Sequence, residues 1–174
     1  MDLFDRMGFL LMDEAIDKWH HSEIYPDFDK NWEREISSMV YRDRNHPSVY
    51  LWSVGNEVDE QLSPNEFSKF YTMLSEWIHR NDPTRKVTCA CQYNIQENLK
   101  IHDITGANYL DGFFEEYRKQ NPKMLIISTE SLLYYRYLNQ DLSGLDPVDE
   151  NPWLDVIRNN HVVGSNVWAA IEYL

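Results

Sequence analysis

Short, nearly continuous apolar runs alternate along the chain with stretches whose apolar residues recur every three or four positions. The runs "MGFLLMDEA" (7–15), "VYLWSVGNE" (49–57), "KVTCACQ" (86–92), "DITGANY" (103–109), "MLIISTES" (124–131) and "VVGSNVWAAIE" (162–172) read as six strands, each buried on both faces. Between them, Trp32, Ile36, Met39 and Val40 fall at helical spacing, as do Phe67, Phe70, Tyr71, Leu74, Trp77 and Ile78. The second of these helices has its start written in: Ser63 as cap, Pro64 at the first helical position and Glu66 three after the cap. Phe113, Phe114 and Tyr117 predict a short helix that stops before Pro122, and Asn151-Pro152 opens another carrying Trp153 and Ile157. These aromatic stripes are expected to pack in the core. Strand and helix alternate throughout, so the pattern predicts a parallel sheet with helical crossovers.

A closed barrel and an open doubly wound sheet both satisfy that alternation, and the strand ends help to choose. Asp13-Glu14, Asn56-Glu57, Asn108-Tyr109, Glu130, and Trp168 with Glu172 all lie at or near the C-terminal end of a strand. A parallel barrel gathers those ends around one mouth. A nucleotide-binding sheet more often has a Gly-rich turn after a strand, and no Gly-x-Gly-x-x-Gly or P-loop pattern occurs here. The expected fold class is therefore α/β, a (β/α)8 TIM barrel.

The 174 residues suffice for one buried core and are too few for two ordinary domains, so residues 1–174 are expected to form one domain or part of one. Sixteen basic against 29 acidic residues give a net charge of −13, which repels nucleic-acid phosphates and anionic lipid heads. No run approaches the roughly 20 apolar residues of a membrane span, and the first six residues lack the basic start and apolar centre of a signal peptide. Neither nucleic acid nor membrane is an expected partner. The compartment stays open, a periplasmic or secreted bacterial parent included. Cys89 and Cys91, two apart on one predicted strand, are badly placed for a bridge and lack the usual thiolate-ligand spacing, so they read as core thiols.

Glu57 and Glu130 lie far apart in sequence, yet each ends a strand, and a barrel brings such ends face to face. Two carboxylates flanking a cleft suit glycoside hydrolysis: one protonates the departing oxygen, the other attacks the anomeric carbon or activates water. Asn56, beside the first, can hydrogen-bond a substrate hydroxyl. The alternative is that each glutamate is merely a solvated strand end.

The stretch "RDRNHPSVYLWSVGNE" (42–57) resembles the acid/base strand of glycoside hydrolase family 2, the family of β-galactosidases, β-glucuronidases and β-mannosidases, whose pattern ends in Gly-Asn-Glu. Likewise "FDRMGFLLMDEAIDKW" (4–19), "TGANYLDGFFEEYRKQNPKMLIISTES" (105–131) and "GSNVWAAIEYL" (164–174) resemble other barrel segments of that family, most closely its β-galactosidase-like branch. The resemblance implies Glu57 as acid/base, Glu130 as nucleophile and Asn56 as the contact to the sugar 2-hydroxyl. It implies Tyr109 as support for the nucleophile and Trp168 as the aromatic floor under the sugar. Asp13 falls at a substrate-facing strand end in the pattern, although a role in capping a neighbouring helix is equally open. The implied substrate is a β-linked glycoside or oligosaccharide, hydrolysed with retention by double displacement, with the two carboxyl groups about 5 to 5.5 Å apart.

The match departs from the family in two places. Some members bind magnesium beside the acid/base through a Glu and a His shortly after the "DEA" segment, whereas this chain reads Lys18-Trp19-His20, and an ammonium cannot ligate a hard cation. No metal and no cofactor is expected, and His20-His21 reads as loop. A full barrel needs about 250 residues, so the chain is expected to hold about six of the eight strands, an incomplete barrel whose unclosed edges invite self-association. A retaining exo-β-glycosidase is the first reading; a catalytically impaired barrel acting as a carbohydrate-binding or interaction domain is the second.

Overall fold

Residues 49–56 form the strand that their apolar run predicts, and every side chain from Leu51 to Gly55 is buried. Around it the computed structural model describes residues 1–21, 27–58, 62–92, 101–131 and 153–169. Six strands, β1 (Leu11–Glu14), β2 (Val49–Asn56), β3 (Lys86–Cys91), β4 (Thr105–Asn108), β5 (Ile126–Ser131) and β6 (Val162–Val167), form one sheet. Every neighbouring pair is parallel, and the spatial order is the chain order. A doubly wound sheet reverses its order at a switch point; a barrel wall does not. The fold is an incomplete (β/α)8 barrel.

The described helices are α1 (Asp2–Met7), α2 (Phe28–Asp43), α3 (Pro64–Asn81), α4 (Phe114–Gln120) and α5 (Trp153–Arg158). The start of α3 follows its sequence signal: Ser63 accepts from the Glu66 N–H while the Glu66 carboxylate accepts from the Ser63 N–H. Helices α2 and α3 bury Ile36, Met39, Val40, Phe67, Leu74 and Ile78 against the outer face of the sheet, in one cluster with Trp52 and Val54 of β2. Among the described residues no helix is long and apolar enough to cross a membrane.

Three expectations need correction. The strand predicted from residue 7 begins at Leu11, because Met7 closes α1 and Gly8 caps it in the left-handed conformation, φ 74°, which glycine adopts without a Cβ penalty. Outer strands β1 and β6 are not buried on both faces: β1 is half-buried and Glu14 exposed, and Val163 and Val167 of β6 are also exposed. Among the described residues each has a strand on one side only. Phe113, Trp153 and Ile157 are exposed instead of lying in the core. Asn151, Pro152 and Glu172 lie outside the described residues.

Two strand approaches require glycine. A Cβ on Gly106 would stand 2.6 Å from the Cys89 carbonyl oxygen, so β3 and β4 close up only because residue 106 has none. A Cβ on Gly55 would meet Trp19 Nε1 at 2.6 Å, and that indole nitrogen donates to the Val54 carbonyl. Cys89 and Cys91 are buried thiols, as their spacing implies, and Cys89 Sγ donates to the Gly55 carbonyl at 3.2 Å.

Candidate active site

Strand β2 ends at Asn56, and the chain turns at once. Glu57 takes φ 54°, and Tyr109, the residue after β4, takes φ 57°. Both lie in the left-handed region that non-glycine residues seldom enter, at a cost of about 1 kcal/mol or more each. Cross-strand bonds hold the turns: the Glu57 N–H donates to the Ala90 carbonyl at 2.9 Å, and the Tyr109 N–H to the Glu130 carbonyl at 2.8 Å. Register also slips near these ends, between Ser53 and Asn56 in β2 and between Ala107 and Asn108 where β4 meets β5. Such bulges re-aim side chains that regular pleating would send elsewhere.

The turned side chains meet. Asn108 Nδ2 donates to Asn56 Oδ1 at 2.8 Å and to Glu57 Oε1 at 3.1 Å, and Thr129 Oγ1 donates to Asn108 Oδ1 at 2.6 Å. One buried amide thus connects β2, β4 and β5. On its other oxygen, Glu57 Oε2 accepts from Lys18 Nζ at 3.0 Å. Glu130 Oε2 accepts from the Tyr109 hydroxyl at 2.6 Å.

The charges are mutually sensed. The Tyr109 hydroxyl is pushed well above its ordinary pKa by burial, then by its hydrogen bond to Glu130, and then by the negative charges of Glu130 and Glu57. It is a fixed donor at neutral pH, and it stands within electrostatic reach of both carboxylates. Glu14, on the neighbouring strand, accepts from Ser53 Oγ at 2.5 Å. Although part of its length is exposed, desolvation by the concave wall raises its carboxyl pKa, aided by Asp17 and Glu130 and opposed by Ser53 and Lys18.

Of the residues singled out from sequence, Asn56, Glu57, Tyr109 and Glu130 are brought together. Trp168 follows β6, its N–H donating to the Ser131 carbonyl at 2.8 Å, and the residue is 49% exposed. Asp13 is not substrate-facing. Successive strand residues point to opposite faces: Glu14 pairs in register with Ser53 on the concave side, and Asp13 with Trp52 on the helix side. There Asp13 meets Asp43 of α2, and burial followed by this contact pushes its carboxyl up to about 7. Asp43 is pressed upward by burial, but Arg42 and Asp13 bring its carboxyl below the usual value. Among the described residues Asp13 Oδ2 and Asp43 Oδ1 are buried without another partner, so a proton held by Asp13 satisfies both.

Sequence reasoning missed Lys18, Asn108 with Thr129, and Glu14 as members of the site. The strand-end position of Asn108 and Glu14 was a usable signal. For Glu14 against Asp13 the missing datum was face parity, and for Lys18 it was the path of the loop after β1.

Residues 1–137 match the family model described as glycosyl hydrolases family 2, TIM barrel domain. The chain belongs to glycosyl hydrolase family 2. It is 32% identical to the β-galactosidase BoGH2A of Bacteroides ovatus over 169 residues, covering 75% of this chain and 20% of that protein. The β-glucuronidase of the dog, Canis lupus familiaris, is 27% identical over 151 residues, covering 78% of this chain and 21% of that protein. The crystal structure of a family 2 member from Bacteroides cellulosilyticus superposes with a TM-score of 0.79 at 30% identity, over 99% of this chain and 22% of that one. The chain thus spans about a fifth of the length of these relatives.

The magnesium site that the resemblance implies for some family members, beside the first glutamate, does not fit the residues present. Lys18 brings an ammonium, which cannot ligate a cation. His20 Nε2 is bonded to Asp29 at 3.0 Å, and the His20 ring packs against Phe28 and Phe70, in a short 3-10 turn (Trp19–His21) rather than a loop.

Proposed function

We propose that the chain carries the reacting pair of a retaining exo-β-glycosidase of the β-galactosidase-like kind. Glu57 is the acid/base and Glu130 the nucleophile. The observation that carries this reading is the Tyr109 hydroxyl, which hydrogen-bonds Glu130 while the charge of Glu57 also reaches it.

In the first step a Glu130 oxygen attacks the anomeric carbon, the glycosidic C–O bond breaks, and the Glu57 proton passes to the leaving oxygen. In the second, Glu57 removes a proton from water as it attacks the same carbon, and Glu130 leaves as carboxylate. Tyr109 orients Glu130 and spreads its charge before attack. Asn56 is the contact for the sugar 2-hydroxyl, and its own carbonyl oxygen Oδ1 is oriented by Asn108. The exposed Trp168 ring offers an apolar face to the C–H side of a sugar.

The test is a panel of nitrophenyl β-glycosides with the wild-type chain and Glu130→Gln. Turnover of the β-galactoside above other sugars, abolished in the variant, supports the reading, and an α-anomer as first product contradicts it. The half-buried outer strands favour a second reading, a carbohydrate-binding or interaction domain that self-associates through its edges. Sugar binding without turnover by a concentration-dependent oligomer would select it.

A further inference from the structure

We propose that the Lys18 ammonium is a built-in cation that positions the Glu57 carboxyl. The proposal rests on the assignment of Glu57 above. Lys18 Nζ donates at 3.0 Å to Glu57 Oε2 and at 3.0 Å to the carbonyl oxygen of Asn56, so it grips side chain and main chain at one strand end. Its side chain is 29% exposed, which removes part of the water that would otherwise screen the pair.

The reach of Lys18 is set by a rigid backbone. The Ala15 N–H donates to the Ser53 carbonyl at 3.3 Å and the Asn56 N–H to the Asp17 carbonyl at 2.7 Å, stapling residues 15–17 along the end of β2. Immediately afterwards Trp19 is fully buried, donates at 2.6 Å to the Val54 carbonyl and stacks on Phe67 at 5.5 Å. Lys18 is held on both sides to the strand that carries Glu57. A lysine paired by chance on a mobile loop would have no such frame.

The local charge calls for a cation. Glu14, Asp17, Glu57 and Glu130 gather at this end of the sheet, and Lys18 ion-pairs with both Asp17 and Glu57. Among the described residues no arginine and no other lysine forms an ion pair with these four. With Asn108 on Oε1 and Lys18 on Oε2, each Glu57 oxygen accepts one bond and keeps a lone pair for the travelling proton. Lys18 acts through Glu57 and is a positioning residue.

The test compares leaving groups. Dinitrophenolate departs without protonation, whereas methanol needs the acid, so in kcat/KM, which reports only the steps up to aglycone departure, a misplaced Glu57 harms only the second. In Lys18→Met, kcat/KM for a methyl β-glycoside should fall about 30-fold through kcat, while that for the dinitrophenyl β-glycoside should stay within about threefold. Lys18→Arg should recover part of the loss, and a chelator should leave the wild type unchanged. Equal losses on both substrates, no loss, or inhibition by the chelator overturns the proposal. A second readout needs no turnover. The 1H–15N spectrum should contain a slowly exchanging lysine ammonium signal that is absent in Lys18→Met and exchanges about tenfold faster in Glu57→Ala. An unchanged signal in Glu57→Ala refutes the ion pair whether or not the chain hydrolyses glycosides. A chain with the signal but no turnover refutes the assigned reaction and leaves the ion pair standing.

Discussion

The two ends of the sheet use the same kinds of side chain to opposite effect. At the N-terminal ends Arg85 is 15% exposed and closed on all sides: it donates to the carbonyls of Val49, Arg44 and His46 and to Asp82, and lies over Trp52. Trp52 Nε1 bonds the same Asp82 oxygen at 2.9 Å, and Asp5 likewise takes His46 and the Ser48 N–H. Carboxylates there are spent on tying loops to strands, and burial is outweighed by Thr84, Arg85 and Trp52 so that Asp82 is held down to about 2. At the C-terminal ends the carboxylates of Glu57 and Glu130 are fixed by one or two donors each and remain open to a further partner. Strain follows the same division, since Glu57 and Tyr109, with positive φ, both stand at the C-terminal ends. A polar group with all its valences used stabilises; one held but not used up can react.

Substitutions at the two ends should therefore move different observables. The largest effect belongs to Glu130→Gln, which removes the proposed nucleophile and should lower turnover of nitrophenyl glycosides about a thousandfold or more with an unchanged urea midpoint. Next, Arg85→Met strands Asp82 in a buried site and should cost about 3 kcal/mol of stability in urea titration, with kcat of the folded fraction unaltered. Asn108→Ala sharpens the division, because it removes the amide that aims Glu57 and Asn56. It should lower kcat/KM about tenfold to a hundredfold while costing the fold only about 1 kcal/mol.

A pH-dependent effect lies on the helix side of β1. Asp13 has a folded-state pKa of about 7 against an ordinary 3.8, so the fold prefers it protonated. Its stabilising contribution is fully present below about pH 3.8 and is lost as pH rises through about 7. Asp13→Asn should flatten the stability curve over that window, measured by urea midpoints from pH 4 to 7.5. An unchanged slope would show that Asp13 and Asp43 do not share a proton.

Much of this division was legible in the chain. Strand-helix alternation, the buried run ending in Gly-Asn-Glu, and the Ser63-Pro64-Glu66 start of α3 are local patterns, and local patterns survive folding. Met7 to Leu10 misled because a short apolar run has the same composition at the end of a helix as in a strand, and only Gly8 marked the stop. Asp13 and Glu14 could not be told apart because a shift of one residue in register exchanges the two faces. Lys18 was read as a failed metal ligand; its role as a direct partner depends on a loop path that no spacing rule encodes.

In the proposed reaction Glu130 attacks a sugar carbon within reach of Glu57. Incubating the chain with a 2-deoxy-2-fluoro-β-galactoside bearing a dinitrophenyl leaving group should trap the covalent intermediate. Mass spectrometry of the digest should then find one fluorosugar on the peptide containing Glu130, and none in Glu130→Gln. A sugar attached to any other residue, or no adduct from a chain that turns over the parent glycoside, would rule out Glu130 as the nucleophile.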